Sequence, residues 1–154
     1  MVILEKLNLI MEKLKLAVFS KTWPVGVAHG AMERHAWTLY TSLADRGHEI
    51  HVFTVPSDRR SHTDIHDGNL HVHFAANDHG SVNCSLVFEI FHKENNGRSF
   101  DYVHTESVSL PHWRAKMAPN VAVTWHGIWY EIMHSKLFEQ LLSDPQGLKN
   151  RIRY

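Results

Sequence analysis

Three short stretches place chemically capable residues beside turns: VGVAHGAME (Val25 to Glu33), HTES (His104 to Ser107) and WHGIWYE (Trp125 to Glu131). In the first, Gly26, Ala28, Gly30 and Ala31 leave the backbone bare just ahead of a helical pattern. Exposed amides and the positive end of a helix dipole favour an anion there, and small side chains let its oxygens approach, so a phosphate fits. Glu33 falls in the first helical turn, where its charge also suits the dipole. In the third stretch His126 and Gly127 sit between a strand and a helix, where an imidazole can hydrogen-bond a sugar hydroxyl or a phosphate oxygen. Glu106 holds the equivalent place one strand earlier. Taken singly, each has a plainer meaning: a turn that is only a turn, a structural histidine, a glutamate that caps the next segment. Trp23, Trp113, Trp125 and Trp129 lie near the same loops, where their rings could stack on a sugar or simply fill the core.

Several competing chemistries lack their residues. A nicotinamide dinucleotide site wants Gly-x-Gly-x-x-Gly at the turn and an acid closing the second strand, but these glycines are four apart and Asp58 comes too far into the following loop. No Gly-Lys-Ser or Gly-Lys-Thr occurs, which removes a P-loop. Fourteen histidines raise the question of a metal, yet His71 and His73 alternate along a strand, His48 and His51 flank the start of another, and no His-Glu-x-x-His or Cys-x-x-Cys accompanies them. No metal site is therefore expected. Sixteen basic residues balance sixteen acidic ones without a one-sided basic run, so a nucleic-acid partner is not expected either. The single cysteine, Cys84, and the lack of a secretory pattern point to a reducing, cytoplasmic setting.

The elements that must position these loops follow from hydrophobic period. KLAVFS (Lys15 to Ser20) and EIHVFT (Glu49 to Thr54) read as strands around a helix whose stripe is Met32, Ala36, Leu39, Tyr40 and Leu43, closed by Gly47 in the left-handed conformation. Pro56 and the polar run SDRRSHTDIHDGN form a connection. Leu70 to Phe74 is a third strand, Val82 to Lys93 a helix, Tyr102 to Thr105 a fourth strand, SLPHWRAKMA a short helix and VAVTW (Val121 to Trp125) a fifth strand. A last helix follows, with Ile128, Ile132, Leu137 and Leu141 towards the sheet. Strands alternating with helices imply an α/β fold, a doubly wound, Rossmann-like parallel sheet with ligands at the carboxyl ends of its strands. Residues 1–14 form an amphipathic lead-in, charged and far shorter than the roughly 20 apolar residues of a membrane span.

GAMERHAWTLYTSLADRGHEIHVFT, with FDYVHTES and VAVTWHGIWYE, resembles the N-terminal domain of family 4 glycosyltransferases, over 15–142. The resemblance implies one half of a two-domain GT-B fold and retaining transfer from a nucleotide-diphosphate sugar, with no further cofactor. It places the donor diphosphate near Gly30 and Ala31, where the family has a Gly-Gly pair and alanine replaces the second member, and near Gly127. His126 is the implied catalytic residue, orienting donor sugar or acceptor, and Glu33, Arg34 and Glu106 are acceptor-side candidates. The family's Glu-Arg-His is read as Glu33, Arg34 and His35. The nucleotide-gripping C-terminal domain, with its Glu-x7-Glu beside a glycine-rich loop, is expected to be absent, leaving 143–154 as a connecting tail. Glu131 and Glu139 imitate that spacing, but no glycine-rich loop precedes them and they stand about 80 degrees apart around a helix. Two alternatives stay open: a non-catalytic truncated or partner-binding α/β module, and a dinucleotide-dependent oxidoreductase.

Overall fold

The computed structural model describes residues 12–26, 30–106, 120–126 and 129–143. The chain divides into two units, one ending at Thr124 and one starting at Trp125. In the first unit, β1 (Lys15–Phe19), α1 (Ala31–Asp45), β2 (Glu49–Thr54), β3 (Ile65–Asp67), β4 (Leu70–Phe74), α2 (Cys84–Gly97), β5 (Tyr102–Glu106) and β6 (Val121–Thr124) follow in chain order. The second contains α3 (Trp129–Ser143).

Six strands form one sheet in the order β3-β4-β2-β1-β5-β6. The β4, β2, β1, β5 and β6 ladder is parallel, with Val18 opposite Val52 and His104. β3 runs antiparallel on β4, so the sheet is mixed rather than wholly parallel. The polar run expected to be pure connection thus contains an edge strand. Its turn carries Gly68 at φ 56°, and a glycine after Asp67 is the chemistry a tight hairpin needs.

Strand alternation sends successive side chains to opposite faces, and each face has its own core. Val18, Ile50, Val52 and Val72 pack with Ala36, Tyr40 and Ala44 of α1. Ala17, Phe19, Phe53 and Val103 pack with Val87 of α2. Within the α1 stripe Ala36 and Tyr40 are buried, Leu39 and Leu43 are partly so, and Met32 lies at the exposed end of the helix. Gly47, at φ 92°, donates to Ala44 O while His48 donates to Leu43 O, which caps the last carbonyls of α1 and turns the chain into β2. The second helix starts at Cys84, because Asn83 accepts from Leu86 N at 3.2 Å and fixes the first turn. In α3 the described side chains, Leu137 among them, are exposed rather than turned inward. The expected helix SLPHWRAKMA and most of the amphipathic lead-in lie outside the described residues.

The α2 face of the sheet carries a row of contacts between histidines and carboxylates. His73 Nδ1 meets Asp64 Oδ2 at 3.1 Å, His73 Nε2 meets His51 Nδ1 at 3.0 Å, and His51 Nε2 meets Glu49 Oε1 at 3.0 Å. Burial, foremost, holds the His51 imidazole below its ordinary value of 6.5, and the neighbouring His71, Lys15 and His73 add to this against the Glu49 bond. His71 is lowered too, by burial and then by His66. Because both folded values lie below the unfolded ones, their contribution is complete above about pH 6.5 and is lost as pH falls through the folded values. The denaturation midpoint is therefore expected to drop as pH falls below about 6.5, and less steeply in His51→Phe. A midpoint that rises with acidity would contradict this.

Candidate functional site

The strand order reverses around β1, which has β2 on one side and β5 on the other. Open α/β sheets leave a crevice at such a point, beyond the carboxyl ends of the strands. Glu106 is the last residue of β5 and shares with His104 the face covered by α1. Its side chain is only 2% exposed. Tyr40, fully buried on α1, donates its hydroxyl proton to Glu106 Oε1 at 2.5 Å. That proton being committed, the 2.8 Å contact between Tyr40 OH and His104 Nδ1 needs its proton from the imidazole. His104 Nε2 in turn meets the Thr124 hydroxyl, also at 2.8 Å. A chain of contacts from Thr124 through His104 and Tyr40 ends on the Glu106 carboxylate. Burial pushes the Tyr40 phenol far above its ordinary value, and the bond to Glu106 and its charge push the same way, so Tyr40 stays a donor. His35, one turn earlier on α1 and largely exposed, brings Nδ1 within 3.7 Å of Glu106 Oε1.

Of the first loop, residues 27–29 lie outside the described residues, and the structure departs from the sequence expectation at Gly30. Gly30 is the N-cap of α1, with extended backbone (φ −66°, ψ 172°) and no side chain capping the helix. Arg34 N donates to Gly30 O at 3.2 Å, closing the first helical turn, and the Arg34 side chain is exposed. Glu33 folds back so that Oε2 takes the place a Gly30 side chain would fill, while Oε1 accepts from Thr22 Oγ1 at 2.7 Å. Gly30 therefore makes room for the chain's own carboxylate, at the helix end where an anion is favoured. Ala31, the first helical residue, is exposed beside it.

Backbone bonds from Trp23 N to Val55 O (2.8 Å) and from Ser57 N to Trp23 O (2.9 Å) stitch this loop to the one after β2. They seat Trp23 in the core at 2% exposure, which withdraws it from sugar stacking. Trp125 and His126, both exposed, belong to the second unit. Gly127 and Trp113 lie outside the described residues, as does the Trp129 side chain.

Glu33 and His35 thus lie in the first turns of α1, and Glu106 ends β5. A family model for Glycosyltransferase Family 4 matches residues 32–153. The chain belongs to glycosyltransferase family 4. The match takes in Glu33, Arg34, Glu106, His126 and Gly127, while Gly30 and Ala31 stand just before it. No curated protein matches the chain. For a family 4 glycosyltransferase domain, the residues that sequence reasoning missed are Tyr40, His104, Thr124 and Thr22. Tyr40 stood in plain view as part of an apolar stripe, and its signal was the hydroxyl, since a buried tyrosine must find a partner for it. The described residues contain no helix long and apolar enough to cross a membrane.

Proposed function

We propose that the chain supplies the acceptor-side half of a retaining glycosyltransferase, which moves a sugar from a nucleotide-diphosphate donor to an acceptor hydroxyl with a second α/β domain gripping the nucleotide. The observation that carries this reading is the family 4 match over residues 32–153, on a sheet whose strand order reverses at β1. Transfer with retention passes through an oxocarbenium-like state while charge gathers on the departing diphosphate. Amides at Gly30 and Ala31 are the groups proposed to receive that charge, and preorganised dipoles of this kind stabilise it without reorganising. Glu33 must then yield its place at Gly30. Arg34 lies exposed on the next residue, where its guanidinium is available to phosphate or acceptor. Glu106, buried and tied to Tyr40, is read as a positioning residue that orients the exposed His35. His126 is assigned to orient the sugar or the acceptor hydroxyl, and Gly127 to let the backbone approach.

A thermal-shift panel tests this reading against the oxidoreductase alternative. Nucleoside diphosphates and nucleotide-sugars are expected to raise the midpoint, and nicotinamide dinucleotides to leave it unchanged. Stabilisation by a nicotinamide dinucleotide alone would overturn the assignment.

A further inference from the structure

Beyond the carboxyl ends of β2 and β4 lies a groove of about 370 Å³, bordered by Pro56, Arg59, Arg60, His62, Gly80 and one acid, Asp78. That volume falls within the range of small-ligand sites. Arg59 is the one described non-glycine residue at positive φ, 57°. Side chains at such angles cost of order 1–3 kcal/mol and persist where the residue is put to use. Its stem runs over Gly80, where an added Cβ would stand 3.1 Å from Arg59 Cβ. The loop after β4 therefore keeps a glycine beneath this arginine.

Among the described residues no carboxylate comes within ion-pairing distance of the Arg59 or Arg60 guanidinium. The nearest acid in sequence, Asp58, is engaged elsewhere: its Oδ1 accepts from Arg60 N at 3.0 Å and its Oδ2 meets His62 Nε2 at 2.9 Å. A strained arginine with no ion pair among the described residues is open to an anionic ligand. The planar guanidinium fork suits a phosphate.

Resting on the sugar-transfer reading, we propose that Arg59 and Arg60 form an acceptor subsite for a phosphate group, so that the acceptor is a phosphorylated molecule. The Trp23–Pro56 bridge and the bond from Val25 N to Ser57 Oγ, 3.0 Å, join the groove wall to the first loop, on the same edge of the sheet.

The test titrates the labelled 154-residue chain with inorganic phosphate and with glucose 6-phosphate, following amide signals by NMR. Saturable shifts are expected at Arg59, Arg60, Asn77 and Gly80. Arg60→Ala is expected to weaken binding about tenfold and Lys93→Ala, on the exposed surface of α2, to leave it unchanged. Arg59→Gly separates use from folding: it is expected to raise the denaturation midpoint, by removing the strained angle, while losing phosphate affinity. Vesicles with and without phosphatidic acid distinguish a lipid-borne phosphate from a soluble one. Absence of saturable shifts, or equal weakening by Lys93→Ala and Arg60→Ala, would overturn the subsite. Nucleoside diphosphate shifts at Gly30 and Ala31 report on the transferase reading separately.

Discussion

Tyr40→Ala is expected to lower the unfolding free energy by about 3–5 kcal/mol, the range for emptying a large aromatic site in a packed core. Tyr40 is fully buried among Ala36, Ala44, Val18 and Val52, so truncation opens a cavity between α1 and the sheet. The same change removes the Tyr40 hydroxyl from the Glu106 carboxylate and from His104 Nδ1. Tyr40→Phe isolates the second effect. It keeps the ring and removes the hydroxyl, and is expected to cost about 1.5–3 kcal/mol, the usual worth of a hydrogen bond to a charged group. Chemical denaturation of the three proteins at neutral pH measures both quantities. Should Tyr40→Phe match the parent, the chain from Thr124 to Glu106 contributes nothing to the fold. A loss in Tyr40→Phe as large as that in Tyr40→Ala would assign the whole effect to the hydrogen bonds.

Glu33→Gln is expected to tighten binding of a nucleoside diphosphate about tenfold, or about 1.4 kcal/mol. The Glu33 carboxylate takes the place beside Gly30 and is held there by Thr22. A diphosphate approaching the start of α1 meets a like charge that already satisfies the helix dipole. The amide keeps the shape and the Thr22 bond while discarding the charge. Thr22→Val is expected to act in the same direction but less strongly, because it frees the carboxylate without neutralising it. Calorimetric titration of the three proteins distinguishes the cases. Weaker binding by Glu33→Gln would mean that the carboxylate holds the ligand instead of guarding the place.

The scaffold was legible wherever local chemistry was unambiguous. Glu49–Thr54 and Leu70–Phe74 have the bounds their apolar runs predict, and Gly47 does what a glycine after a helix does. β3 escaped notice because Ile65, His66 and Asp67 have no apolar alternation, and only pairing with β4 makes them a strand. Position along the chain put Trp23 near the loops but could not say which way its ring turns. Its backbone bonds to Val55 and Ser57 decide that.

The site divides along the same line. Glu33, Arg34 and Glu106 could be singled out because each stands beside a strand or helix end. The partnership of Tyr40 with Glu106 spans 66 residues and depends on α1 crossing above β5, which no local pattern encodes. Gly30 was read as bare backbone for a phosphate, and the carboxylate that fills its empty side was invisible until Glu33 had a rotamer. Helical spacing put Leu137 on an inward stripe, but the residue is 40% exposed.

The central claim is that the start of α1 accepts the diphosphate of a sugar donor. It is tested most directly by titrating the labelled chain with a nucleoside diphosphate and following the Gly30 and Ala31 amides by NMR. Saturable shifts centred on these two amides, enhanced in Glu33→Gln, are the predicted result. Saturable binding that leaves both amides unmoved, or moves them less in Glu33→Gln than in the parent, would contradict the account.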